Sequence, residues 1–325
     1  MTERRLVECV RFGGPEELVA VSGPMPVPAA GEVVVAVEAI GVNFADTMVR
    51  RGEYRKVQTL PQILGMEVAG KIYAVGAGSA LTVGSPVAAF MEHGGGYASH
   101  VVVAEELVFP VDVPVGPDLV AASFLQGVTA WYAVHRYGRV WPDERVLVTG
   151  AAGGLGTWII QLAREAGAQV VGLASSESKR TYLTELGCNE TFDPSSLDLR
   201  QDLRSWSPRG FDVICDAVGG PLFTKLLPAL ARSGRYVVTG SASQLPAVLD
   251  TRHLMPRGQT ISGFVMRNVM DNDPEEPLSA LHEVLSRVAD QRVRVDFEVL
   301  PMDNAAAAHR RIEARDVVGK LVLRP

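Results

Sequence analysis

RVLVTGAAGGLGTWIIQLAREAGAQVVGLASSESK, residues 145–179, is the stretch whose reading decides the fold. Val146-Leu147-Val148 is an apolar run of the kind that forms a strand buried on both faces of a parallel sheet. A glycine-dense turn follows, with Gly150, Gly153, Gly154 and Gly156 around Leu155. Leu155, Ile159, Leu162, Ala163 and Ala166 then recur at the spacing of one helix face. Gly167 stops that helix, and a second buried strand starts at Gln169. Strand, glycine turn, helix and strand in this order form a dinucleotide-binding crossover unit. Glycines without Cβ let a pyrophosphate approach main-chain N–H groups, and the positive end of the helix favours its charge. The spacing of Gly150, Gly153 and Gly156 is GxxGxxG, one residue longer than the usual GxGxxG. An ordinary tight turn is the alternative, and the flanking elements argue against it.

The end of the second strand bears on which dinucleotide binds. NAD enzymes usually carry an Asp or Glu about 20 residues beyond the glycines, where it holds the ribose hydroxyls. Here the neighbourhood reads Ala174-Ser175-Ser176-Glu177-Ser178-Lys179-Arg180. The hydroxyls of Ser175 and Ser176 and the cation of Lys179 suit a 2′-phosphate, which points to NADPH. Glu177 is the dissenting residue, assigned to the solvent side of the next helix's first turn. The competing reading is a serine-capped helix start with a solvated basic face.

Around this unit the chain is long enough, at 325 residues, for two domains. Its composition, 47% hydrophobic and 21% charged, is that of an ordinary globular protein. A net charge of −6 argues against a nucleic acid or an anionic membrane as partner. The opening MTERRLVECV has no long apolar core behind its charges, so no secretory signal is expected. No apolar run approaches the ~20 residues needed to span a bilayer. Cys9, Cys188 and Cys215 are too scattered for a disulfide framework or a CxxC knuckle, which suits a reducing cytoplasm.

Before residue 118 the chain reads as strands and turns, with strands expected over 33–37, 66–75 and 83–90. Residues 41–54 read as a loop leading into a short helix. Gly94-Gly95-Gly96 precedes a strand rather than a helix and is not read as a phosphate cradle. A helix is expected over 118–137, with Asp118 as its cap. Strands are expected over 211–217, 234–239 and 259–266, and helices over 278–288 and 304–314, the last capped by Asp303. A closing strand is expected over 320–323.

Taken together, several motifs resemble the zinc-independent branch of the medium-chain dehydrogenase/reductase superfamily, specifically its quinone oxidoreductases. They are GVNFADTMVRRGEY (41–54), LGMEVAGKIYAVGAG (64–78), GGGYASHVVV (94–103), FLQGVTAWYAV (124–134), the stretch 146–174 and the terminal GKLVL (319–323). The resemblance implies an α/β fold in which a Rossmann doubly wound parallel sheet domain is inserted into a GroES-like β-rich domain. On that plan residues 1–121 and 268–325 form the substrate domain, and residues 122–267 bind the nucleotide. It also implies a homodimer paired through the outer strand, 259–266, of the Rossmann sheet.

The zinc-using relatives carry a ligating His in a Gly-His-Glu motif, where this chain has Gly65-Met66-Glu67, and a Cys where this chain has Val42-Asn43-Phe44. Neither thioether nor amide holds catalytic zinc at useful strength, so no metal is expected. By resemblance, Tyr54 is the candidate proton donor, with pocket lining as its alternative. Asn43 and Asp46 match cleft residues: Asn43 as a donor to a substrate oxygen, Asp46 as an organiser of the loop. Met48 replaces an aromatic found in several quinone reductases. Thr129, Gly240, Ser241, Phe264 and Val265 match contacts around the nicotinamide. Lys320 matches a cation near the cofactor phosphates, with a surface lysine as its alternative. Phe192, beside Asp193, stands where NADPH-using members often have a Tyr, which weakens the NADPH reading without reversing it. The implied activity is hydride transfer from NADPH to a quinone or an α,β-unsaturated carbonyl compound. An enoyl-thioester reductase and a low-turnover NADPH-binding sensor or structural protein are the alternatives.

Overall fold

The computed structural model describes residues 3–54, 59–272 and 275–325, and the chain divides into two compact units, Met1–Leu125 with Pro274–Pro325, and Gln126–Asp273. In the first unit β1 (Glu3–Cys9) pairs antiparallel with β2 (Leu18–Pro24) across the turn made by the GGPEEL sequence. The eleven-residue β3 (Glu32–Val42) is the spine of the larger sheet, and its Val33, Val34, Val35, Ala39 and Ile40 are fully buried. It runs into α1 (Phe44–Arg50), as the loop-then-helix reading of 41–54 expects. β4 (Gln62–Ile63) completes a small sheet on the far side of β1. β5 (Glu67–Val75), β6 (Pro86–Phe90), β7 (His100–Ala104) and β8 (Val108–Pro110) extend the larger one. The glycine run before β7 is structural. Gly95 and Gly96 donate N–H groups to the carbonyls of Leu64 (3.1 Å) and Gly65 (3.0 Å), so they hold the segment that leads into Met66.

α2 (Pro117–Trp131) begins one residue earlier than expected and widens into a π-helical stretch over Tyr132–Tyr137. Asp118 is therefore not its cap. It lies in the first turn, where its carboxylate takes the Arg324 guanidinium. The second unit follows the crossover pattern: β9 (Arg145–Val148), α3 (Gly154–Glu165), β10 (Gln169–Leu173), α4 (Glu177–Leu186) and β11 (Glu190–Phe192). α5 (Leu199–Trp206), β12 (Phe211–Asp216), α6 (Pro221–Leu226), β13 (Leu230–Val238) and β14 (Thr260–Gly263) continue it. The six strands form one parallel sheet in the order β11-β10-β9-β12-β13-β14. Its central strands read as continuous apolar runs because helices cover both faces, and Leu147, Val171, Ile214 and Tyr236 sit in its core.

The strand expected over 259–266 is shorter. β14 ends at Gly263, and Met266 opens a helix, α7 (Met266–Asn272). After α8 (Glu275–Ala289), β15 (Phe297–Pro301), α9 (Ala305–Glu313) and β16 (Lys320–Arg324), the chain has rejoined the first unit's larger sheet, ordered β15-β16-β3-β5-β6-β8 with β7 on β3. Asp303 does not cap α9 with its side chain; its carboxylate binds Arg5 at 3.0 Å.

Candidate functional site

Because every strand of the second unit's sheet is parallel, the loops after β9, β10, β12, β13 and β14 all leave from one edge. The chain starts at β9, moves outward to β10 and β11, then crosses to β12 on the other side, so the switch point lies between β9 and β12. That is where open α/β sheets bind ligands. Gly150 turns there with a left-handed φ of 57°, and Gly153 is the extended residue from which α3 starts. Gly156 has no room for a side chain: a Cβ would lie 2.5 Å from the Gly150 carbonyl oxygen and 2.6 Å from Ala151 Cα. A Cβ on Gly154 would meet the Gln126 amide, whereas Gly153 is open, with its nearest atom at 3.4 Å. Leu155 is half-buried in the first turn of α3.

Under this edge lies a buried network that the sequence reading did not single out. Asp216, fully buried at the end of β12, accepts from the Thr149 hydroxyl (2.6 Å), the Tyr236 hydroxyl (2.7 Å) and the N–H groups of Val218 (2.9 Å) and Gly219 (3.1 Å). Thr149 Oγ1 in turn accepts from the Ala217 N–H at 3.0 Å. One carboxylate thus ties the ends of β9, β12 and β13 together, and burial raises the Tyr236 hydroxyl well above its ordinary pKa. The only local signal was an Asp closing the apolar run Val213-Ile214-Cys215.

After β10, Ser175 is exposed, and Ser176 caps α4 by accepting the Lys179 N–H at 3.3 Å. Lys179 is half-buried, and Glu177 is exposed in the first turn. Arg180 is committed elsewhere, to the Ala174 carbonyl (3.0 Å) and to Asp193 (3.5 Å). The Asp193 carboxyl is held below its usual range by hydrogen bonds from Ser195, with Arg180 assisting. Phe192 packs against the sheet's core. Gly240 and Ser241 follow β13, where the Ala242 N–H reaches the Ala217 carbonyl at 3.0 Å. Phe264 and Val265 follow β14, and the Phe264 ring stacks on Tyr137 with centroids 4.5 Å apart. Thr129 is half-buried on α2. Thirteen of the expected site residues thus lie in this unit, twelve of them along one sheet edge or the helix starts that leave it.

The other expected residues are in the first unit. Tyr54 is half-buried in a bend beyond α1. Asn43 precedes α1, and its N–H donates to Asp46 Oδ2 at 2.8 Å, closing the helix's first turn. The Asn43 side chain does not stand open for a substrate oxygen. Its Oδ1 accepts from Lys320 Nζ (2.8 Å), and its Nδ2 donates to Glu67 Oε1 (2.8 Å). Lys320 is no surface lysine: at 2% exposure it pairs with Glu67 Oε1 at 2.6 Å, while Glu67 Oε2 accepts the Leu125 N–H at 2.9 Å. Sequence reading missed Glu67 as the hub of this cluster. Next to it Asp46, fully buried, faces the Tyr97 hydroxyl (3.4 Å), which reaches His309 Nε2 at 2.9 Å. Arg50, also buried, pairs with Glu313. Burial pushes the Asp46 carboxyl up to about 7, against hydrogen bonding from Asn43 and the charge of Lys320. Burial pushes His309 down to about 3, reinforced by Arg50 and Arg51. Met66, at the position of the zinc relatives' His, is buried. Among the described residues no three His, Cys, Asp or Glu side chains converge as a metal site, and no helix is long and apolar enough to cross a membrane.

Comparison with known proteins bears on both units. Residues 29–113 match the alcohol dehydrogenase GroES-like domain family, and residues 154–284 match the zinc-binding dehydrogenase family. The chain is 32% identical over 326 residues to a 2-haloacrylate reductase of Burkholderia, covering 96% of each. It is 29% identical over 329 residues to the quinone oxidoreductase of Sus scrofa, covering 99% of each. The solved structure of Escherichia coli quinone oxidoreductase complexed with NADPH superposes with a TM-score of 0.93 at 28% identity, over 99% of this chain and all of that one. The fold is accordingly α/β, a Rossmann-type parallel sheet joined to a GroES-like β-rich unit.

Proposed function

The chain belongs to the quinone oxidoreductase family of the medium-chain dehydrogenase/reductase superfamily, and from that premise we propose that it is an NADPH-dependent, zinc-independent reductase of quinones or α,β-unsaturated carbonyl compounds. The observation that carries this reading is the glycine turn at the sheet's switch point, with no room for a side chain at Gly156 and α3 starting at Gly154. The pyrophosphate of NADPH would lie on the N–H groups of Gly154, Leu155 and Gly156, at the positive end of α3, with the Gly153 N–H spent on the Gly150 carbonyl at 3.0 Å. Ser175, Ser176 and Lys179 would hold the 2′-phosphate, with the exposed Ser175 hydroxyl and the Lys179 ammonium as donors beside the Ser176 cap of α4. Thr129, Gly240, Ser241, Phe264 and Val265 would line the nicotinamide end.

When bound, NADPH supplies the hydride. The protein's task is then to polarise the acceptor and protonate what remains, and two features favour doing this without zinc. Met66 offers only a thioether, and the carboxylate beside it, Glu67, is already neutralised by the Lys320 ammonium. Tyr54 is the proposed donor of the proton to the enolate or hydroquinone anion. Asn43, Asp46 and Lys320 act one layer back, fixing the start of α1 and the segment that leads to Tyr54. The outermost strand of the sheet, β14, is the proposed homodimer edge.

Stopped-flow measurement of NADPH absorbance against a panel of quinones, enones and enoyl thioesters tests the reading. Oxidation is expected with quinones or enones, and Tyr54→Phe should slow enone reduction more than quinone reduction. Absence of oxidation by every saturating acceptor would sink the enzyme assignment.

A further inference from the structure

The second unit also gathers cations that the glycine turn does not use. Arg200 and Arg204 stand four residues apart on α5, so they share a helix face. Arg209 follows in the loop to β12, Arg232 lies near the start of β13, and Lys225 and Arg257 complete the set. These six line a hollow of about 810 Å³, and no Asp or Glu is among the described residues that line it. Gly210 and Leu230 also line it, which puts it at the amino ends of β12 and β13, the opposite edge of the sheet from the glycine turn. A second hollow of about 450 Å³ shares Arg200 and Arg257 and adds Thr224, His253 and Asp250, whose carboxylate is taken by Arg252.

Several unpaired guanidinium groups gather at this one hollow. Four exposed arginines elsewhere find carboxylates, Arg5 with Asp303, Arg11 with Glu17, Arg252 with Asp250 and Arg324 with Asp118, whereas among the described residues Arg139 and Arg310 stand singly. Arg200, Arg204, Arg209 and Arg232 are exposed, and among the described residues none has a hydrogen-bond or ion-pair partner. The chain has more acids than bases, 37 against 31, so the lack of carboxylates at this hollow is local. The carboxyl end of α5 carries roughly half a negative charge, enough to offset part of one arginine. Lys225 is held in place by the carbonyls of Ser196 (2.6 Å) and Pro194 (3.3 Å), which fixes one cation at the rim.

We propose that this hollow is a second anion site, separate from the dinucleotide turn, that takes a small molecule bearing two or more phosphate groups. Planar guanidinium forks match phosphate oxygens two at a time, and several of them converge here. The volume falls in the range of small-molecule sites, roughly 300–1,000 Å³. The concave shape and the negative net charge of the whole chain both disfavour a nucleic acid.

Isothermal titration of the full chain with tripolyphosphate at low salt, alongside orthophosphate, is the test. The expected result is saturable tripolyphosphate binding, tighter than orthophosphate and weakened by added salt. The triple variant R204A/R209A/R232A should weaken it by about 100-fold or more, since several charge-assisted contacts go together. Titration with NADPH should be unchanged in the same variant, and its circular dichroism should match the parent's because all three side chains are exposed. Tripolyphosphate binding that is absent, or equal in parent and variant, would overturn the proposal. So would single-stranded DNA or anionic vesicles binding at these arginines in preference to tripolyphosphate.

Discussion

The carboxyl edge of the parallel sheet and the buried cluster at the start of α1 are both polar regions set into apolar surroundings, but they are built from different material. At the sheet edge the proposed ligand contacts are main-chain N–H groups, and side chains matter there mostly by their absence, as at Gly156. At the cluster nearly everything is done by side chains: Lys320, Glu67 and Asn43 satisfy one another within 2.6–2.8 Å. A backbone site tolerates change wherever a Cβ fits. A closed network of buried side chains tolerates the loss of none of its members, because each removal strands a charge or a polar group away from water.

The largest expected effect therefore lies in the cluster. Lys320→Met leaves the Glu67 carboxylate buried at 1% exposure without its cation, and removal of one partner of a buried pair costs about 3–5 kcal/mol. Urea unfolding should register that loss, and the double variant Lys320→Met/Glu67→Gln should recover much of it. A Lys320→Met protein as stable as the parent would mean the network is not closed as described. Next in size is Lys179→Ala, which should weaken NADPH by the value of a charge-assisted contact, about 1.5–3 kcal/mol, while NADH affinity stays nearly constant. Equal loss for both cofactors would remove Lys179 from the phosphate site. Smaller still is the contrast between two glycines of one turn. Gly156→Ala must displace backbone 2.5–2.6 Å away, an overpacking cost of about 1–3 kcal/mol that should appear in both the melting temperature and cofactor affinity. Gly153→Ala, with 3.4 Å of clearance, should change either measurement little. Similar losses in the two variants would show that the turn is not read through its spacing.

The same contrast explains what was legible in the sequence. The glycine turn, α3 and the flanking strands are local: residues 145–173 carry their own periodicity, capping and punctuation, so the crossover unit could be read as it stands. The cluster could not, because residues 43, 67 and 320 are joined only by the fold, and an Asn, a Glu and a Lys each look surface-bound in isolation. Asp118 and Asp303 failed as caps for the same reason, since their carboxylates are taken by Arg324 and Arg5 from distant segments. Residues 259–266 misled differently: apolar residues continue past Gly263, but the chain turns there and spends Met266 on the buried side of α7. Resemblance located Asn43, Asp46 and Lys320 without revealing that they engage one another or their neighbours.

The cluster's second layer gives the subtlest effect, because two buried groups oppose each other. Asp46, raised to about 7 from an ordinary 3.8, binds its proton more tightly in the native chain than in the unfolded one. Its contribution to stability therefore falls as pH rises from about 4 to 7 and is constant above that. His309, lowered from 6.5 to about 3, resists protonation in the native chain, so its contribution falls as pH drops from about 6.5 toward 3. Between about pH 4 and 6.5 the two slopes have opposite sign and similar size, at most about 1.4 kcal/mol per pH unit each, and the parent should show little dependence from this pair. Asp46→Asn keeps an acceptor for the Asn43 N–H and removes one arm, so stability should drop on acidification through this window. His309→Gln keeps a partner for the Tyr97 hydroxyl and removes the other, so stability should drop as pH is raised instead. Urea midpoints at pH 5, 6 and 7 for the three proteins decide between this balance and an inert pair, for which all three profiles would run parallel.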